Sequence, residues 1–191
     1  SFSVNNAYFP SGTSGDERQT YKYQWLKEFQ EYAANMLLVK PQLIICGDYN
    51  IAHTAIDIHD PKGNKNSSGF LPDERAWMDG WLGIGFIDSF RHKNPELKDQ
   101  YSWWSQRFPS VRLQNKGWRI DYISISPNLK DKLVDAKIYP DVKHSDHCQA
   151  TRQTDRQVLW IAPDRSRVAP KMTPRFARCG WKGGLERVKG I

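Results

Sequence analysis

The chain has 191 residues and a mass of 22.2 kDa, enough for one domain with a sizeable core and too little for two comfortable ones. Hydrophobic residues at 39% and aromatics at 13%, with eight Trp, exclude a disordered chain and leave aromatics over for surface contact. The formal charge is +7, yet residues 149–191 carry ten Lys/Arg against three Asp/Glu, so the basicity belongs to the end of the chain and residues 1–148 are neutral overall.

No apolar run approaches the length of a membrane span, and the opening Ser1-Phe2-Ser3-Val4-Asn5-Asn6 lacks a signal-peptide layout. The expectation is a soluble, cytoplasmic protein with no membrane partner. Cys46, Cys148 and Cys179 are odd in number and lack metal-type spacing, which predicts reduced thiols in a reducing compartment.

In chain order, residues 3–7 read as the end of a strand running into Tyr8-Phe9-Pro10-Ser11-Gly12, with the Tyr8 hydroxyl placed either to reach a phosphate or to cap the core edge. Residues 16–38 are helical: Tyr21, Trp25 and Phe29 recur at steps of four beside Leu26 and Ala33, a core-packing stripe. Leu43-Ile44-Ile45-Cys46 is a buried strand that ends in Gly47-Asp48-Tyr49-Asn50-Ile51-Ala52-His53. It delivers a carboxylate and an amide to the strand's C-terminal edge, where Asp48 can bind a metal or move a proton and Asn50 can hold a reactant. Alone, the same four residues describe an Asx-type turn.

Residues 62–69, Lys62-Gly63-Asn64-Lys65-Asn66-Ser67-Ser68-Gly69, form a polar loop suited to phosphate contact or to simple solvation. Pro72, Asp73 and Glu74 open a second helix that runs to about Leu82 before Gly83 and Gly85. Residues 86–90, 101–105 and 117–125 read as strands, the last two joined by a loop with Arg107, Arg112 and Lys116. Alternation along the third places Asp121 on an apolar face, where a carboxylate needs a partner. Residues 134–139 make one more strand, leading to Lys143-His144-Ser145-Asp146-His147. Strands alternating with helices predict a mixed α/β layered domain whose strand ends converge on one rim. Tyr8, Asp48, Asn50, Asp121, Asp146 and His147 all fall near such ends, and they are the residue types that metal-assisted hydrolysis of a phosphodiester requires.

The motifs Asn6-Ala7-Tyr8-Phe9-Pro10-Ser11-Gly12, Gly47-Asp48-Tyr49-Asn50-Ile51-Ala52-His53, Gly69-Phe70-Leu71-Pro72-Asp73-Glu74-Arg75, Gly117-Trp118-Arg119-Ile120-Asp121-Tyr122 and Lys143-His144-Ser145-Asp146-His147-Cys148 occur in the order seen in exonuclease III-type AP endonucleases. Residues 4–148 resemble that family. The resemblance implies a four-layered α/β sandwich of the endonuclease/exonuclease/phosphatase type. It also implies a DNA repair nuclease, cutting 5′ to abasic sites and trimming duplex DNA from 3′ ends, that works as a monomer with Mg2+, or Mn2+ in its place.

On this sequence the resemblance makes His147 act on the water nucleophile, oriented by Asp121. Asp48 assists proton transfer, Asn50 orients it, and Tyr8 contacts the scissile phosphate. Asp146, Asp48 and Asn50 form the metal side. Asn64 and Arg119 join Trp103 and Trp118 as DNA contacts, the two Trp walling the abasic sugar. Two departures temper this reading. The family's opening strand and its metal-binding Glu have no counterpart before Ser1, and nothing after Cys148 matches. Residues 1–148 are thus expected to be a partial nuclease domain and residues 149–191 a poorly ordered basic tail in which the family's final strand is replaced. The alternatives are an inactive fragment of such a nuclease and a related phosphodiesterase with another substrate.

Overall fold

The computed structural model describes residues 2–108, 110–141, 145–154 and 158–161. Strands β1 (Ser3–Asn6), β2 (Leu43–Asp48), β3 (Ile87–Asp88) and β4 (Asp121–Ile125) make one sheet in the order β1-β2-β4-β3. β1 and β2 are parallel, joined over the sheet by helix α1 (Asp16–Val39), while β4 runs antiparallel to β2 and β3. A second sheet, β5-β6-β7, is antiparallel and built from Leu133–Tyr139, Gln149–Thr154 and Val158–Ile161.

The alternation of strand side chains gives the first sheet two apolar faces. On one, Leu43, Ile45 and Tyr122 meet Leu26, Phe29 and Ala33 of α1 and Met78 and Trp81 of helix α2 (Pro72–Gly83). Phe9 stacks on Tyr49 at a ring-centroid distance of 4.1 Å and seals this layer. On the other, Ile44, Cys46, Ile123 and Ile125 meet Leu129 and Leu133. Beyond them Phe90, Tyr101 and Trp104 pack on Ala136, Ile138, Cys148 and Ala150, which ties the second sheet to the first. The order helices, sheet, sheet is the mixed α/β layering expected.

The helical stripe of α1 is rotated from expectation. Leu26, Phe29 and Ala33 are buried, but Tyr21 is exposed and the fully enclosed residue beside it is Lys22. Three strand expectations also change. Residues 86–90 give the two-residue β3, after which Asp88 accepts from the N–H groups of Phe90 and Arg91 and starts the short helix α3 (Ser89–Lys93). Residues 101–105 are an irregular segment joined to its neighbours by single bridges, Trp103 to Trp118 and Trp103 to His147. Residues 117–120 lie outside the sheet, with Trp118 bridged to Trp103 and to Ile58, so β4 begins only at Asp121. A further short helix, α4 (Ser110–Leu113), follows the irregular segment.

The described residues beyond Cys148 continue the second sheet. Gln149–Thr154 is the central strand of the second sheet, paired with β5 on one side and β7 on the other. A strand pairs through its backbone, and Ala150 of this one is buried in the core between the sheets. The rest of the expected tail, residues 155–157 and 162–191, lies outside the described residues. Among the described residues no helix is long and apolar enough to cross a membrane.

Candidate active site

β2 and β4 are neighbours whose register sets Asp48 opposite Asp121. Both carboxylates therefore arrive at one sheet edge by backbone pairing alone. Gly47 makes this edge possible: its φ is +139°, and a Cβ there would lie 2.0 Å from the Ala7 carbonyl oxygen. After Asp48 the chain turns through Asn50 in the left-handed region at φ +51°. Asp48 Oδ1 accepts the Asn50 backbone N–H at 2.8 Å, and the Asn50 amide donates to Asp48 Oδ2 at 3.0 Å and to the Phe9 carbonyl at 2.9 Å. The Asx turn is thus what holds the Asp48 carboxylate and the Asn50 amide side by side.

His147 comes from the other side. The segment after Asp146 is bridged to Trp103, and Cys148 N–H donates to the Ser102 carbonyl at 2.8 Å. His147 Nδ1 lies 2.9 Å from Asp121 Oδ2, and its Nε2 lies 3.9 Å from Asp48 Oδ2. The partner that Asp121 needs on its apolar face is this imidazole. Buried Ser102 accepts the backbone N–H groups of both Ile120 and Asp121 at 3.1 Å, fixing the base of the Asp121 side chain.

The electrostatics follow from this crowding. Burial, then the charge of Asp121, push the Asp48 carboxyl up to about 7 against the opposing pull of His147. Burial would lower His147, but the hydrogen bond and charge of Asp121, with Asp48 and Asp146 behind them, raise it to about 9.

The remaining expected residues divide. Tyr8 is 70% exposed at the rim. Asp146 Oδ2 accepts from Trp103 Nε1 at 3.3 Å. Trp103 and Trp118 stand edge to face with centroids 6.2 Å apart, half-buried over Ala52, Ile58, Phe70 and Ile120. Gly69, at φ +94°, backs onto the Trp118 ring, where a Cβ would come within 3.0 Å. Asn64 spends both amide hydrogens inside its own loop, on the carbonyls of His59 and Asp60, and accepts from Ser67 Oγ. A phosphate contact from its NH2 group would have to open that loop.

Arg119 is a correction. It is fully buried, its Nε donating to Asp57 Oδ1 at 2.7 Å and its Nη2 lying 2.8 Å from Asp88 Oδ2. Its partners Asp57 and Asp88 hold it inside the protein just before β4, so the guanidinium is not presented to DNA. Sequence reasoning missed this cluster, together with Ser102, Lys22 and Glu74. The only signal for it was an Asp or Arg inside otherwise apolar segments, the cue that singled out Asp121.

Comparison with known proteins decides the kinship. Residues 3–147 match the model of the Endonuclease/Exonuclease/phosphatase family. The chain belongs to this family. Among family relatives, an exodeoxyribonuclease of Bacillus subtilis is 45% identical over 145 residues, covering 76% of this chain and 57% of that protein. The DNA repair nuclease APEX1 of Danio rerio is 39% identical over 150 residues, covering 78% of this chain and 48% of that protein. The structure of an AP endonuclease from Archaeoglobus fulgidus superposes with a TM-score of 0.74 at 29% identity, covering 80% of this chain and 61% of that one. The chain spans about half the length of the curated relatives it matches.

Proposed function

We propose that this family member is a divalent-metal-dependent DNA repair nuclease that hydrolyses phosphodiester bonds of duplex DNA 5′ to abasic sites and from 3′ ends. The observation that carries the reading is His147 held between Asp121 at 2.9 Å and Asp48 at 3.9 Å, beside the Trp103 and Trp118 wall. The names of the relatives, exodeoxyribonuclease and DNA repair nuclease, point the same way.

Hydrolysis needs a proton taken from water and one given to the leaving oxygen. The Asp48–His147 pair handles both, since His147 Nε2 and Asp48 Oδ2 are 3.9 Å apart and can both reach one oxygen lying beside them. Asp121 fixes the ring and its tautomer, and Asn50 fixes Asp48. Tyr8 presents a hydroxyl at the rim for a phosphate oxygen. Trp103 and Trp118 offer apolar surface to a sugar without its base, which a paired nucleotide cannot reach without leaving the stack.

The donor set suits magnesium in kind but not as a closed cage. Among the described residues no group of three or more His, Cys, Asp and Glu side chains could hold a metal ion. Magnesium commonly takes one or two carboxylates together with substrate phosphates and waters. Asp48 and Asp146, with the Asn50 amide oxygen, would hold it in that manner. When bound, such an ion neutralises phosphoryl oxygens. Manganese is the natural substitute.

The test is cleavage of an end-labelled duplex carrying one abasic-site analogue. A cut 5′ to the lesion that needs Mg2+ and is abolished by EDTA supports the proposal. A folded protein that cuts neither this duplex nor 3′ ends in Mg2+ or Mn2+ overturns it.

A further inference from the structure

We propose that Lys22 is a positioning residue for the Asp48–Asn50 turn, acting through the Asn50 carbonyl. The inference rests on the nuclease reading for its kinetic part only. Lys22 sits in the second turn of α1 and is fully buried. Its Nζ makes two contacts: an ion pair with Glu74 Oε1 and a 2.8 Å hydrogen bond to the Asn50 carbonyl oxygen. Glu74 in turn accepts from Gly69 N–H at 2.6 Å, from Leu71 N–H at 3.0 Å and from Gln19 Nε2 at 3.1 Å. One ammonium thereby joins α1, the start of α2, the turn at Gly69 and the turn at Asn50.

Stability gives little reason for this arrangement. A buried ion pair surrenders the hydration of both charges, and well-packed apolar residues often replace one without loss. The surrounding stripe of Leu26, Phe29 and Ala33 is already apolar. What an apolar residue cannot supply is a donor for the Asn50 carbonyl. Asn50 adopts φ +51°, a conformation that a non-glycine residue keeps only where its surroundings over-determine it. Its side chain is tied to Asp48 and Phe9 and its N–H to Asp48. Lys22 binds the one remaining backbone group, so the turn cannot relax without breaking this hydrogen bond from a buried lysine. Asp48 thereby keeps its aim at His147.

The test replaces both charges together, because Lys22→Met alone would strand Glu74. The Lys22→Met/Glu74→Gln protein is compared with wild type and with Lys22→Arg. Circular dichroism and thermal midpoint report folding, NMR hydrogen exchange reports the Asn50 backbone and side-chain amides, and abasic-duplex cleavage gives kcat and KM. The expected result is a folded double variant in which Asn50 exchange is at least tenfold faster and kcat at least tenfold lower, with KM within about twofold. Lys22→Arg, which keeps a cationic donor, retains both near the wild-type level. A folded double variant with wild-type Asn50 exchange and wild-type kcat overturns the proposal, and so does a kcat loss matched by a rise in KM. Lys22→Gln/Glu74→Gln, which keeps polar partners matched but shortens the reach to Asn50, is read identically if the first variant does not fold. A wild-type protein that cuts no DNA defeats the nuclease reading, while Asn50 exchange still decides the part played by Lys22.

Discussion

His147 Nδ1 lies 2.9 Å from Asp121 Oδ2, across two segments that are 26 residues apart in sequence. Asp121 leaves the ring one free nitrogen, and that nitrogen faces Asp48. His147→Ala removes the proton carrier and should lower kcat by about a hundredfold to ten-thousandfold. Asp121→Asn keeps the shape but lets the ring turn, and should lower kcat with little change in KM. Cleavage of the labelled abasic duplex by folded variants measures both, and an unchanged kcat in His147→Ala would remove His147 from the reaction.

Arg119 gives the opposite expectation. Arg119→Met leaves Asp57 and Asp88 enclosed without their shared cation, and breaking a buried pair in this way costs about 3–5 kcal/mol. Urea unfolding should show that loss. DNA affinity of the folded fraction should stay at the wild-type level, because the guanidinium never meets solvent.

Acid stability follows from the same cluster. Burial alone would raise the Asp57 carboxyl, but the guanidiniums of Arg119 and Arg91 outweigh it and hold it well below the usual carboxylate range. A depressed folded value stabilises the fold above the unfolded value, roughly pH 4, and that stability is lost as pH falls below it. Unfolding free energy should therefore drop between about pH 4 and pH 2, with a shallower slope in Asp57→Asn. Equal slopes in urea titrations of the two proteins would mean that the ion pairs do not govern acid unfolding.

Trp118→Ala removes half of the edge-to-face wall and opens space above Gly69. Cleavage at an abasic site should fall about tenfold, corresponding to 1.4 kcal/mol of transition-state binding, while trimming of plain 3′ ends changes less. Equal losses on the two substrates would assign the wall to general packing.

Gly47→Ala tests the strand edge. The new Cβ meets the Ala7 carbonyl at 2.0 Å and the φ of +139° strains any L side chain, so a loss of about 3 kcal/mol or more is expected in thermal or urea unfolding. A variant as stable as wild type would show that β1 moves aside freely.

Legibility in the sequence tracked local physics. β2 was readable because four apolar residues end in Gly47-Asp48, and α1 because its aromatic period is long. Asp121 was readable as a carboxylate in apolar company. Lys22 was not, since a lysine one step from a tyrosine stripe reads as solvated until its distant partners Glu74 and Asn50 are known. Arg119 misled for a similar reason: nothing local in Trp118-Arg119-Ile120 says which way the arginine points, and its partners Asp57 and Asp88 are 62 and 31 positions away. β6 was hidden by its polar composition, because pairing on both sides replaces the apolar alternation that marks an exposed strand.

The placement of β6 turns the second sheet into a ruler. The strand starts two residues after His147, with Gln149 opposite Tyr139 and Ala150 opposite Ile138. Successive strand residues advance by about 3.4 Å. A slip of one position against β5 would turn Ala150 outward and carry His147 about that far along the sheet, beyond hydrogen-bond reach of Asp121. The spacing of the reactive groups is therefore counted out by hydrogen bonds in a strand that itself carries none of the chemistry.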